Sequence, residues 1–151
     1  ELGHVGSGAN LDDIVNSDHY TDVKQAVEFV QCTGCGSLAV AVGNAHGAYV
    51  QTPNLDFDRI ASLRSALPIP LVLHGCSDIP PEQLQESVRL GMSKFNIATE
   101  YFAATYDAFD ATIEKTGHNR NGVAMFFGVQ QGMVDFVRGK IRLLNPNGFS
   151  L

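Results

Sequence analysis

Apolar residues along this chain fall into two kinds of segment: short unbroken runs, and stretches where they recur every third or fourth position. Ser37-Leu38-Ala39-Val40-Ala41-Val42-Gly43 is an unbroken run, the pattern of a strand buried on both faces. Leu71-Val72-Leu73 is a second, and Lys94-Phe95-Asn96-Ile97 reads as a third, short strand. Between them the period becomes helical. Val27, Val30 and either Ala26 or Phe29 mark a helix over Val23 to Cys32, capped by Thr21 or Asp22 and stopped by Gly34. Phe57, Ile60 and Leu63 mark a helix over Asp56 to Ala66, ended by Pro68 and Pro70. Asp78-Ile79-Pro80-Pro81 opens the next, which buries Leu84, Val88 and Leu90 and stops at Gly91. Glu100 to Lys115 and Val123 to Leu144 read as two long helices joined by a turn over 117–121. Residues 1–19 and 43–54 read as loops.

The order is loop, α, β, α, β, α, β, α, α. Strand–helix alternation with short joins predicts β-α-β units and a parallel sheet, in a single domain over 1–151. Three strands alone would leave two apolar edges, which need covering. Glu1-Leu2-Gly3 also reads like the exit of a strand. The expectation is part of a barrel or part of an open sheet.

Composition narrows the function classes. Hydrophobic content of 44% against 17% charged residues describes a soluble globular chain, not a disordered one. A net charge of −6 argues against a nonspecific nucleic-acid or membrane-surface binder, which would normally be basic. No segment approaches the length of a transmembrane helix. The opening Glu1-Leu2-Gly3-His4 carries no basic stretch and no apolar run, so no secretion signal is expected. With only Cys32, Cys35 and Cys76 as thiols, the expected setting is the reducing cytoplasm. Cys32-Thr33-Gly34-Cys35 has Cys-x-x-Cys spacing but no second pair, so ordinary buried thiols are expected there.

The candidate chemistry lies where the apolar runs stop. The first closes on Asn44-Ala45-His46-Gly47 and the second on His74-Gly75-Cys76-Ser77. The third ends in Asn96-Ile97-Ala98-Thr99. Parallel α/β proteins build active sites at the C-terminal ends of their strands. Two imidazoles delivered there can share one metal ion. Gly47 and Gly75 would let backbone N–H groups approach a phosphate, and Ser77 would add a hydroxyl. The helix starting near Glu100 would present its anion-favouring end, with Thr99 as a phosphate contact or a plain cap. Asp78 is expected to cap the helix that follows it, and Asp12 or Asp13 could supply an acidic group from the opening loop.

Taken in order, several segments resemble the class II, zinc-dependent fructose/tagatose-bisphosphate aldolases. They are Glu1-Leu2-Gly3, Tyr20-Thr21-Asp22, Leu38 to Gly43, His46-Gly47, Leu55-Asp56-Phe57-Asp58, Pro70 to Gly75 and Asn96 to Glu100. Ser77-Asp78 and Ala98-Thr99-Glu100 look most like the tagatose-bisphosphate branch. The resemblance implies a (β/α)8 TIM barrel, of which this chain would be about the C-terminal half, from the end of strand five to helix eight. It implies cleavage of a ketose 1,6-bisphosphate to dihydroxyacetone phosphate and glyceraldehyde 3-phosphate. Zn2+ would act as the Lewis acid that polarises the carbonyl oxygen. By resemblance, His46 and His74 are zinc ligands, and Glu1 matches a glutamate near the metal. Gly47, Gly75, Cys76, Ser77, Asn96, Ile97, Ala98 and Thr99 would hold the dihydroxyacetone phosphate portion.

The acid/base Asp and a further His ligand are expected in the absent N-terminal half. Asp18-His19 is the one adjacent pair here, and it lies in the opening loop. A homo-oligomer, or a partner chain supplying the other half-barrel, is therefore expected. The alternative is a non-catalytic half-barrel or structural partner subunit of an aldolase.

Overall fold

Backbone pairing begins where the apolar runs begin. In this computed structural model, which describes residues 1–117 and 121–149, three parallel strands form one sheet. They are β1 (Leu38–Ala39), β2 (Leu71–Leu73) and β3 (Met92–Phe95), in spatial order β1-β2-β3. Leu38 pairs with Leu71 and Ala39 with Val72. Leu71 pairs with Met92 and Leu73 with Phe95, across an irregularity at Leu71/Val72. On the other side of β1, Leu2 makes a parallel bridge to Val40, its N–H donating to the Ala39 carbonyl at 3.0 Å.

Helices α1 (Leu11–Val15), α2 (Val23–Thr33), α3 (Phe57–Ala66), α4 (Pro81–Arg89), α5 (Thr99–Thr116) and α6 (Gly122–Leu143) complete the fold. Local chemistry sets most of their ends. Asp22 caps α2 by accepting the Gln25 N–H at 2.9 Å, and Gly34 ends it in the left-handed conformation. Asp56 caps α3 through the Arg59 N–H at 2.9 Å. The Arg59 side chain then donates to the Thr21 carbonyl at 3.0 Å and ties α3 to the start of α2.

The core lies between the sheet and α2, α3 and α4. Leu38, Val40 and Val42 enter it from the first run, Leu71 and Leu73 from β2, and Ile60, Leu63 and Leu84 from the helices. Alternate residues of a strand face opposite sides, so Ala39 and Ala41 line the other face, where both are also buried.

Three expectations change here. The strand expected over 37–43 is paired only at Leu38 and Ala39, with Val40 in the bridge to Leu2. Beyond it the backbone stays buried but bonds to loops: the Val42 N–H goes to Asn44 Oδ1 at 2.8 Å, and the Val42 carbonyl accepts from Asp56. The third strand lies two residues earlier than expected, because the chain reverses at Gly91 and pairs at once from Met92. The opening segment is not all loop: it holds α1 and a 3-10 turn over Ser17–His19. The turn expected over 117–121 lies partly outside the described residues.

α5 and α6 pack along one another. Their far side is strongly apolar and exposed, with Phe102, Tyr106, Val123, Phe126 and Phe127 all open to solvent. Among the described residues, no helix is long and apolar enough to cross a membrane.

Candidate functional site

The two strand exits are locked together before any functional side chain is placed. Asn44 is buried between them; its Oδ1 accepts the Val42 N–H and its Nδ2 donates to the His74 carbonyl at 3.1 Å. The Tyr49 hydroxyl joins the same exits, accepting the Ala45 N–H and donating to the Gly75 carbonyl, both at 2.8 Å. Burial pushes the Tyr49 phenol up to about 12, so it stays protonated and able to donate. Gly75 sits at φ +60 with the Ala45 carbonyl pressed against it; a Cβ there would lie 1.9 Å from that oxygen. Gly75 is needed for this close approach of two loops. Gly47, at φ +86, opens onto free space.

On this frame His46 and His74 project side by side, ring centroids 5.5 Å apart. The His46 Nδ1 faces the Val5 carbonyl at 3.1 Å. That bond places the ring proton on Nδ1 and leaves the Nε2 lone pair free. His74 Nε2 lies 3.5 Å from Glu1 Oε2, and its Nδ1 lies 2.8 Å from the Asn96 side-chain amide. Lys94 donates to the Asn96 side-chain oxygen, so the amide nitrogen is the atom facing the ring. A cation on His74 Nε2 therefore requires that amide to turn over and accept from Nδ1–H. Burial holds the His74 imidazole below its usual range; the Glu1 carboxylate opposes this, while His46 and Lys94 add to it. The neutral ring is the form that binds metals.

One ligand atom each from Glu1, His46 and His74 lies within 4.8 Å of the others. Two imidazoles and a carboxylate are a donor set suited to zinc. Glu1, expected near the metal from resemblance alone, joins the two histidines here.

The remaining candidates divide. Asn96 is half-buried against His74 and Ile97 half-buried against the core, while Ala98 and Thr99 are exposed at the start of α5. Ala98, not Thr99, is the residue before the first turn of α5, and it makes no side-chain cap. Ser77 does that work across the loop: its buried Oγ accepts the Glu100 N–H at 3.3 Å. Cys76 lies under the loop, its N–H donating to the Asn96 carbonyl at 3.0 Å and its Sγ to the Leu73 carbonyl at 3.0 Å. Burial raises its thiol to about 12, so in the absence of a cation it stays protonated and able to donate. Cys76 thus offers no free N–H to the site, and its sulfur is not among the donors gathered with His46 and His74.

Asp78 does not cap α4. It occupies the turn before it at φ +61, and the N-cap position of α4 is Pro80, which makes no side-chain cap bond. Neither of the two thiols expected to be buried is so: Cys32 is exposed and Cys35 half-buried; Cys76 is buried, and all three are free. Asp12 and Asp13 face the histidines of their own segment, His4 and His19. Tyr49 was not singled out from the sequence. Its signal is faint, a lone aromatic two residues beyond His46-Gly47 in a polar loop.

A further concave volume lies elsewhere. It is an apolar groove of about 890 Å³ lined by Tyr101, Phe109, Met125, Phe126, Met133 and Ile141 of α5 and α6. It holds none of the titratable groups described above.

Comparison with known proteins bears on the family and the fold. The family model described as fructose-bisphosphate aldolase class-II matches residues 1–149. Over 100 residues, 66% of this chain, the sequence is 48% identical to the protein YdjI of Escherichia coli K12, a match spanning 36% of that protein. The crystal structure of the YdjI aldolase from the same organism superposes with a TM-score of 0.77 at 38% identity, covering 86% of this chain and 47% of that one. The crystal structure of fructose-bisphosphate aldolase from Campylobacter jejuni gives a TM-score of 0.72 at 20% identity, over 88% of this chain and 47% of that one, a likeness of fold alone. The chain spans less than half the length of each of these relatives. By its match over residues 1–149 and its relation to YdjI, the chain belongs to the class II fructose-bisphosphate aldolase family.

Proposed function

We propose that this chain is the C-terminal half of a (β/α)8 barrel in a zinc-dependent aldolase. The enzyme would cleave a ketose 1,6-bisphosphate, of the tagatose or fructose series, to dihydroxyacetone phosphate and glyceraldehyde 3-phosphate. The observation that carries this reading is the convergence of Glu1, His46 and His74, one ligand atom from each within 4.8 Å, at the exits of adjacent parallel strands.

His46 and His74 would hold the zinc, with Glu1 as a ligand or as the carboxylate facing His74. When bound, zinc supplies a Lewis acid for the substrate carbonyl. The chain's own residues do the rest. Val5 fixes the His46 ring and Asn96 fixes that of His74. The open Gly47 backbone and the exposed start of α5 at Ala98 and Thr99 bind the substrate phosphate, as N–H groups at a helix start do. Asn96 and Ile97 line the substrate between the phosphate and the metal. Gly75, Cys76 and Ser77 shape that cradle from below. The acid/base Asp comes from the other half of the barrel, in the same polypeptide or a partner chain. The setting is cytoplasmic, and the assembly is homo-oligomeric or completed by a partner.

The test is His74→Ala in the native protein that carries these residues. Zinc per chain and cleavage of both sugar bisphosphates are measured. Loss of zinc together with loss of cleavage is expected; unchanged activity overturns the assignment.

A further inference from the structure

A second group of donors lies in the opening segment, outside the Glu1–His46–His74 cluster. One ligand atom each from His4, Asp13 and His19 lies within 4.8 Å of the others. His4 Nε2 is 3.3 Å from Asp13 Oδ1, and His19 Nδ1 is 3.9 Å from the same oxygen. The His4 and His19 rings meet edge to face with centroids 5.0 Å apart.

We propose that His4, Asp13 and His19 form a second binding site for a divalent cation of the zinc type. Nitrogen and oxygen atoms about 2.0–2.1 Å from a tetrahedral zinc lie roughly 3.3 Å from one another. The His4–Asp13 separation already has that value, and His19 Nδ1 would close on Asp13 Oδ1 by about 0.6 Å to reach it.

The surroundings fit ligands better than a chance charge cluster. The Ser7 N–H donates to Asp13 Oδ2 at 2.7 Å, which turns Oδ1 toward the histidines. His19 Nδ1 is buried and has no hydrogen-bond partner, a state that costs free energy unless something else binds there. On the other side of that ring, Nε2 lies 3.8 Å from Asp12 Oδ2. At 3.8 Å this carboxylate stands just beyond hydrogen-bond reach; drawn slightly closer it becomes the usual outer partner of a metal-bound histidine, favouring the proton on Nε2 and the lone pair on Nδ1. The His4 side chain is 60% exposed, so a cation can enter and keep a water. Two imidazoles and one carboxylate select zinc-like cations over magnesium or calcium.

The site would also brace its neighbour. The His4 N–H donates to the His19 carbonyl at 2.8 Å, and the next residue, Val5, orients His46. A cation joining His4 to His19 therefore pins the segment that carries both Val5 and Glu1. The inference does not rest on the first cluster binding zinc.

The test counts cobalt or zinc per chain by elemental analysis after titration and desalting, with circular dichroism checking the fold. Two cations per chain are expected in the unmodified protein. His74→Ala retains one, and His4→Gln weakens that remaining one by at least about tenfold. His4 is exposed, so this change leaves the core intact; Asp13→Asn in the same background should act likewise. No cation in the His74→Ala protein, or one that His4→Gln and Asp13→Asn leave unweakened, overturns the second site.

Discussion

At the scale of single residues, the two imidazoles are oriented by groups distant in sequence. Asn96 is 22 positions from His74, and Val5 is 41 from His46. Outer partners of this kind are typically worth about 10–100-fold in metal affinity. Once its amide has turned over to accept from His74 Nδ1–H, Asn96 is such a partner, so Asn96→Ala should weaken zinc binding by about that factor without unfolding the chain, measured by competition with a coloured chelator. Gly75 makes a sharper case. Gly75→Ala adds strain of about 1–2 kcal/mol from its positive φ and a clash with the Ala45 carbonyl at 1.9 Å. Gly47→Ala adds only the backbone strain, since nothing lies within 4 Å of the added carbon. Urea unfolding should rank Gly75→Ala clearly below Gly47→Ala; equal losses would contradict the packing described. Both histidines and both glycines were legible from the sequence, because they stand where apolar runs stop. The uses of Cys76 and Ser77 were not, because their partners Asn96 and Glu100 arrive from the next strand and helix.

At the scale of elements, helices were read well and strands poorly. α2 and α3 match their expected ranges closely, since Asp22, Gly34 and Asp56 are local signals read by neighbouring N–H groups. The length of β1 was not local: pairing stops where Asn44 and Asp56 take over the backbone partners of Val42. α6 looked loosely patterned because of Gly128, Gly132 and Gly139, and its packing against α5 explains the first two. A Cβ at Gly128 would lie 2.3 Å from Thr112 Oγ1, and one at Gly132 would lie 2.5 Å from the Ala108 Cβ. A Cβ at Gly139 meets nothing within 4 Å. Gly139→Ala should thus stabilise the protein by about 0.5–1 kcal/mol through helix propensity. Gly128→Ala should lose about 1–3 kcal/mol through overpacking against Thr112. Opposite signs in thermal melts check the pair.

At the scale of the whole molecule, the sheet is bounded by β3 on one side and by the short Leu2 bridge on the other. Apolar side chains of α5 and α6 also face solvent, Phe102, Tyr106, Phe126 and Phe127 among them. Exposed apolar surface and open strand edges drive association. The 151 residues on their own should self-associate, read by sedimentation velocity; a monodisperse, well-folded monomer would count against the half-barrel reading. The sequence by itself determined the element order from α2 onward, the parallel α/β class, the cap and stop of α2 and the histidines beyond the first two strands. These follow from spacing and capping, which act over a few residues. Tertiary structure alone decided where pairing stops, that Asn44 and Tyr49 clamp the two exits, and that Glu1 meets His74. It also turned Asp13 toward His4 and His19. Each of these depends on segments far apart in the chain packing together, and no local pattern records that meeting.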